Sequence, residues 1–444
     1  MLVLLLLAAT SLAAQTGIEG VWEGPLKTPG GTLRLRLHVD RNPSGALAAK
    51  VDSVDQGAFG LPVDSITFVN NTLRFEMKGL QASYEGILEP GAKALSGTFR
   101  QGMDLPLKLT RLDKAPEGPK RPQDPKPPFP YEAVDVTVEN RPVNLQLACT
   151  LTLPKGKGPH ASVVLISGSG PQDRDETVAG HRVFAVLADH LTRIGTAVLR
   201  CDDRGFGKST GNFRTATTED FAGDASAAVD FLKTRAEING KRIGLIGHSE
   251  GAVVAPMVAN RRSDIAFLVL LAPTAVKGSE VILAQSRAIG KAMKASDAAL
   301  DRQEQQLREA HKIVLAEADA SRAAARLKEM GLGDQQSQML TSPWFRFFLS
   351  YDPATALAKI RIPVLVLNGE LDLQVLPDQN LPLLDAALKK SGNTNYKVMR
   401  MPGLNHLFQT ARTGSPGEYA QIEETMSPAA LEAVSGWIQR LPTQ

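Results

Sequence analysis

The sequence predicts an α/β domain built on a mostly parallel sheet covered by helices, preceded by a small all-β barrel or sandwich. Three observations predict it. Up to about Leu112 the apolar and polar residues alternate with period two. From Val163 onward, short apolar runs alternate with stretches of helical spacing. Between them stands a proline-dense segment, Asp113 to Pro130. Strands wetted on one face alternate, whereas strands buried on both faces of a parallel sheet read as continuous apolar runs. A chain of 444 residues is also too long for one ordinary compact domain.

Residues 1–15, MLVLLLLAATSLAAQ, read as a signal peptide. The apolar run has the length of an h-region and ends in small residues, with Ser11-Leu12-Ala13 near a candidate cleavage site. No Lys or Arg precedes it. The run is short for a membrane span and no other stretch suggests a transmembrane segment, so export to the periplasm or medium is expected. Residues 16–112 form the β domain. TLRLRLHVD sets Leu33, Leu35, Leu37 and Val39 on one face, and TLRFEM and LPLKLTRL repeat the pattern. Turn signals such as Pro29-Gly30-Gly31 and Pro90-Gly91 divide the runs into roughly eight strands. His38 and Asp40 share one strand and read as a satisfied surface pair; no chemical constellation stands out here. Residues 113–130 read as an extended linker, because dense prolines cannot supply ladder donors.

Residues 131–444 form the second domain. VVLIS (163–167), TAVLRCDD, RIGLIG, FLVLLA, PVLVLNG and YKVMRM are strands, with helices between them and a last helix near Leu431 to Arg440. From Val276 to Ser350 the pattern is helical with no strand. An insertion of that length is usually functional, and residues 276–350 are expected to form a helical cap over the sheet edge where ligands bind.

Composition narrows the function. Hydrophobic residues make up 43% and charged residues 22%, and the net charge is +3 with the signs interspersed. Nothing argues for nucleic acid or an acidic membrane surface as partner. No metal-ligand spacing or cofactor fingerprint is present, so neither metal nor cofactor is expected. Cys149 and Cys201 each sit in an apolar run; buried free thiols are the default reading, although an exported protein can pair them. The oligomeric state is not legible.

Two segments match G-x-S-x-G. Gly207-Lys208-Ser209-Thr210-Gly211 is followed by more loop residues, and no helix begins before about Thr218. Ser209 therefore reads as a loop residue. Gly247-His248-Ser249-Glu250-Gly251 lies between a strand and a helix, where a sharp turn holds a serine in a strained conformation. Side chains at Gly247 and Gly251 would collide with the neighbouring strand and helix. Ser249 is the candidate nucleophile. It needs a base, and in such sheets the acid and then the histidine follow it in the chain. Two histidines do: His311 lies mid-helix in the cap and reads as solvated, while His406 follows the strand YKVMRM in a loop. His406 is the candidate base. Asp372 is favoured as the acid that orients it, with Glu370 an exposed neighbour. The candidate oxyanion donors are the N–H of Glu250 and that of Ser169, with Gly170 as the alternative.

SGSGPQDRDE, LADHLTRIGTAVLRCDDRGFGKSTG, IGLIGHSEGA, LNGELDLQV and GLNH together resemble the α/β-hydrolase superfamily, in particular a group of bacterial exported serine esterases with an extra N-terminal domain. The resemblance covers Tyr131 to Leu441. It implies hydrolysis of a small-molecule carboxylic ester through an acyl-enzyme, with Ser249, Asp372 and His406 as the triad. It gives DDRGFGKS a mainly structural role, so Asp203 and Arg204 are not candidates for catalysis. The chain departs from the family's frequent His-Gly loop start by having Ser167-Gly168, which leaves the second oxyanion donor open. Related peptidases share the triad but usually carry a β-propeller, for which the N-terminal part is too small. A peptidase, amidase or thioesterase of the same fold is the alternative, and a non-enzymatic binder the least favoured reading. PWFRFFLSY in the cap either pins the cap to the core or lines an acyl pocket.

Overall fold

The computed structural model describes residues 17–28, 31–42, 44–54, 58–114 and 119–442; the expected signal peptide lies outside the described residues. The chain divides into two compact units, Met1–Gly118 and Pro119–Gln444.

The first unit is one antiparallel sheet. Its strands are β1 (Gly20–Thr28), β2 (Gly31–Arg41), β3 (Leu47–Ser53), β4 (Ala58–Pro62), β5 (Ser65–Val69), β6 (Thr72–Met77), β7 (Ala82–Leu88), β8 (Ala94–Arg100) and β9 (Asp104–Leu112). Their spatial order is β4-β3-β2-β1-β9-β8-β7-β6-β5, so the first and last long strands pair at the centre. The sheet is a half-barrel, and its alternating residues meet in a core that includes Trp22, Leu37, Val39, Leu73, Phe75, Tyr84, Leu95 and Leu109. Nine strands stand where roughly eight are legible. The ninth, β4, is an edge strand whose Gly60 and Pro62 mask its pattern. His38 pairs with Asp52 of β3 (2.6 Å), not with Asp40, because a cross-strand neighbour is closer than a residue two places along the same strand.

The second unit carries an eight-stranded sheet ordered β10-β11-β15-β12-β16-β17-β18-β19. In chain order the elements are β10 (Glu132–Asn140), β11 (Leu145–Leu153), β12 (His160–Ile166), the small hairpin β13 (Thr177–Val178) and β14 (His181–Arg182), α1 (Val183–Arg193), β15 (Ala197–Cys201), α2 (Thr218–Lys233), β16 (Ile238–His248), α3 (Gly251–Arg261) and β17 (Phe267–Leu271). Six helices follow: α4 (Gly278–Ala292), α5 (Asp297–Ala316), α6 (Ala320–Glu329), α7 (Asp334–Leu340), α8 (Pro343–Ser350) and α9 (Pro353–Leu357). The chain closes with β18 (Val364–Gly369), α10 (Pro377–Lys390), β19 (Tyr396–Met401) and α11 (Pro428–Gln439). β10 and β11 run antiparallel at one edge, and the strands from β15 to β19 are parallel. Every residue of β17 and β18 is buried, as expected for strands covered on both faces.

Residues 119–130 lie along this second unit. Arg121 donates to the carbonyls of Ile422 and Ala420 (both 2.8 Å), and the Gln123 amide bonds Met426 and Thr425. The prolines keep the stretch extended, and its polar side chains fasten it. Cys149 and Cys201 face each other directly across β11 and β15 and form a disulfide. This corrects the default reading of free thiols. A separation of 52 residues hides a pairing that the sheet register creates.

The cap helices α4 to α8 have a small core of their own, including Ala310, Ile313, Val314, Leu327, Phe345 and Leu349. His311 is buried there, with its ring 6.1 Å from Phe345, not solvated as its place in α5 suggests. Burial pushes its imidazole below its ordinary pKa. The aromatic run divides its work. Phe345 turns into the cap core, whereas Phe347 and Tyr351 pack on the core beneath the sheet.

Candidate active site

The turn from β16 to α3 follows from its glycines. A Cβ on Gly247 would lie 2.0 Å from the Gly251 carbonyl oxygen, and one on Gly251 would lie 2.0 Å from the carbonyl oxygen of Ile166 in β12. Only glycine lets helix and strands approach this closely. Ser249 takes φ +53°, a left-handed conformation that costs a non-glycine residue about 1 kcal/mol or more. Its N–H is tied to the Leu271 carbonyl at 2.8 Å. Ser209 differs. Its hydroxyl accepts from Ala148 N (2.9 Å) and donates to Asp202 O (2.8 Å), which binds it into the loop.

His406 and Asp372 arrive from the loops after β19 and β18. The His406 Nδ1–H donates to Asp372 Oδ2 at 2.8 Å, and both side chains are buried. Asp372 also accepts from Asn368 Nδ2 and from the N–H groups of Gln374 and Val375. Four donors thus hold the carboxylate in one orientation. Glu370 is exposed and accepts instead from Gly403 N. Among the described residues no hydrogen bond joins the Ser249 hydroxyl to His406. Such contacts are often long in a free enzyme and tighten around the substrate.

The loop after β12 lies against Ser249, since a Cβ on Gly168 would come within 3.3 Å of the Ser249 Cβ. The Gly168 N–H is already committed, donating to Glu176 Oε1 at 2.7 Å. The same oxygen meets His248 Nδ1 at 2.8 Å, and His248 Nε2–H donates to the His406 carbonyl at 3.0 Å. Burial alone would depress the His248 pKa, but the Glu176 carboxylate outweighs it and holds the imidazole above its ordinary value. Glu176 and His248 escaped notice in the sequence. The signals were present: a charged run, DRDE, and a histidine beside the candidate nucleophile. Around them Arg174 pairs with Asp202 and Asp175 with Arg182 and Arg200.

The Glu250 side chain is buried and accepts from Thr218 Oγ1 (2.6 Å) and from Trp344 Nε1 of the cap (2.7 Å). Burial pushes its carboxyl up. Beside it lies a recess lined by Val253, Thr274, Val276, Phe347, Phe348 and Tyr351, with an interior of about 10 Å³. Room for one water-sized sphere means that the cap closes this recess.

Asp203 sits behind the loop and accepts from Ser167 Oγ and Gln172 N, both at 2.9 Å. Some of its surface meets solvent, yet protein encloses the carboxyl closely enough that burial pushes its pKa up to about 8. The unfolded value is about 4, so between these limits the folded state binds more protons. Stability from this group is therefore full below about pH 4 and declines as pH rises through about 8. Asp203→Asn retains the shape without the ionisation. Its melting temperature is expected to gain on wild type as pH rises from about 5 to about 9. A difference independent of pH would refute this.

Strand order, cap position and a strained serine turn after the fifth strand of the sheet in chain order define an α/β-hydrolase, the fold expected from the sequence. The chain belongs to the hydrolase family described as serine aminopeptidase, S33, which matches residues 159–410. It is similar to the esterase EstD of Thermotoga maritima, 29% identical over 313 residues, 70% of this chain and 68% of that protein. Among solved structures it is similar to the Pyrococcus furiosus esterase Pf2001 (17% identity, 73% of this chain and 97% of that one, TM-score 0.46). It is also similar to Est1E of Butyrivibrio proteoclasticus with ferulic acid bound (18%, 68% and 98%, TM-score 0.42). Among the described residues no helix is long and apolar enough to cross a membrane.

Proposed function

We propose that this protein is a serine hydrolase that cleaves small-molecule carboxylic esters through an acyl-enzyme. The observation that carries the reading is the strained Ser249 on a glycine-packed turn, with a carboxylate-oriented imidazole in the loop beside it. Ser249 Oγ attacks the ester carbonyl carbon while His406 Nε2 takes its proton. Asp372 stabilises the resulting imidazolium through Nδ1–H. The oxyanion is met by the N–H of Glu250 and the N–H of Ser169. The Gly168 N–H is bonded to Glu176, which leaves the second donor to Ser169, with Gly170 as the alternative. The C–O bond then breaks, His406 returns the proton to the departing alcohol, and water repeats the sequence on the acyl-enzyme. The similarity to EstD supports an ester as substrate.

The family description raises a second reading, an aminopeptidase. That activity requires an acid to hold the substrate's free ammonium. Glu250 is the acidic side chain lining the recess, and it is already engaged by Thr218, Trp344 and Ser169. This favours an ester over a peptide with a free amino terminus. A thioesterase acting on a phosphorylated carrier would need free basic side chains, and the nearby Arg174, Arg182 and Arg200 are paired with Asp202 and Asp175.

We also propose that the protein is exported. The leader-like residues 1–15 and the Cys149–Cys201 disulfide support an oxidising compartment. Three measurements test the two proposals. A fluorophosphonate adduct should map to the peptide containing Ser249, and the intact mass of the secreted protein should lack the leader. Turnover of an ester should far exceed that of its matching amide. An adduct on Ser209, or a preference for the amide, would refute the ester reading. A retained leader would refute export.

A further inference from the structure

Three hydrogen bonds in series connect the two loops that flank Ser249. Gly168 N–H donates to Glu176 Oε1 (2.7 Å), Glu176 Oε1 meets His248 Nδ1 (2.8 Å), and His248 Nε2–H reaches the His406 carbonyl (3.0 Å). The chain of contacts thus begins on the oxyanion loop and ends on the backbone of the base. The two side chains in the series are buried: Glu176 is 1% exposed and His248 3%. The His248 ring lies 4.8 Å from the His406 ring.

The hydrogen-bond chemistry of His248 is constrained at both nitrogens. A backbone carbonyl only accepts, so Nε2 must carry a proton. Nδ1 faces Glu176 Oε1, which also receives the Gly168 N–H; as a carboxylate, that oxygen accepts from both. Two donors on one ring make an imidazolium. The charged groups around it are Glu176 from the segment after the oxyanion loop and Asp372 from the loop after β18, with the His406 ring from the loop after β19. Both carboxylates favour the cation.

We propose that Glu176 and His248 are positioning residues, an imidazolium–carboxylate strut that sets the spacing between the oxyanion loop and the base loop around Ser249. The strut does two things. It withdraws the Gly168 N–H from the site, which leaves the following N–H groups of that loop to face substrate. It also holds the His406 backbone while Asp372 holds the His406 ring, so the base is fixed at two points. Neither residue touches the reacting atoms. The proposal rests on the serine-hydrolase reading for its effect on rate, but not for the charge state.

The test uses full-length protein labelled with ¹⁵N-histidine. At about pH 8.5, where an ordinary imidazole is neutral, one ring should keep both nitrogens protonated, with both N–H protons in slow exchange. Those signals should vanish in His248→Gln. A ring protonated at Nε2 alone would overturn the strut. In kinetics, Glu176→Gln should lower kcat by about 10- to 100-fold while KM for a p-nitrophenyl ester stays within about twofold. His248→Gln keeps a donor towards the His406 carbonyl, and His248→Asn keeps one towards Glu176. Each should retain more activity than His248→Ala. Equal loss in all three, or a rise in KM without a fall in kcat, would overturn the positioning role. Wild type that fails to react with fluorophosphonate would instead sink the hydrolase reading, and the doubly protonated ring would still be seen.

Discussion

Replacing Ser249 with alanine is expected to lower kcat/KM for a p-nitrophenyl ester by about 10⁴- to 10⁶-fold. In the proposed mechanism the loss is large because the base and the acid that orients it act only through the serine. His406 has no other hydroxyl to activate at the β16–α3 turn, and the carboxylate of Asp372 acts on the ring alone. The remaining rate reflects binding and oxyanion stabilisation of a water attack. The fold should survive, since the Ser249 side chain carries no hydrogen bond on which the turn depends; its backbone N–H does that through Leu271. Ser249→Gly separates catalysis from strain. At φ +53° glycine is unstrained, so this variant should be as inactive as the alanine variant. It should also be more stable by about 1 kcal/mol in urea unfolding, less the entropy that glycine adds to the unfolded chain. Ser209→Ala supplies the contrast. It removes bonds to Ala148 and Asp202 and should cost stability more than rate. Retained activity in Ser249→Ala would overturn the assignment.

The legible parts of this site are those whose role is local or set by chain order. Ser249 announces itself through two glycines between an apolar run and a helix. Asp372 and His406 follow from loops at the ends of strands whose apolar runs are unmistakable. Glu370 and Asp372 differ only in where the loop turns them, and the exposed Glu370 against the buried Asp372 agrees with the distance of each from the strand end. What the sequence hides is convergence. Glu176 and His248 are 72 residues apart, and His248 and His406 are 158 apart. No periodicity links them, because the sheet order brings them together only after β12 and β16 pair. The disulfide is hidden in the same way, since antiparallel register sets Cys149 opposite Cys201. His311 shows the converse. Its helix reads as polar, but a neighbouring cap helix buries the face on which it lies.

Gly251→Ala is expected to be among the most damaging single methyl additions in the second unit. The new Cβ would sit 2.0 Å from the Ile166 carbonyl oxygen and 2.7 Å from that of Ser167. Both obstacles are backbone, and one belongs to a strand paired on both sides, so neither can rotate away. Relief requires α3 to move away from β12. The overpacking should cost about 3 kcal/mol, or roughly 4 °C in melting temperature for a unit of this size. The same shift carries the Glu250 N–H off its proposed place in the oxyanion hole, since Glu250 opens α3. A displacement near 1 Å should therefore lower kcat by about 10²-fold in the protein that does fold. Gly240→Ala is the control. It lies in the same strand as Gly247, and its Cβ would meet only the flexible Lys233 side chain at 4.0 Å. It should change stability by less than about 0.5 kcal/mol. If both variants melt like wild type and turn over ester at the same rate, helix α3 is not held against the sheet by backbone contact, and the geometric basis for a strained nucleophile at Ser249 is gone.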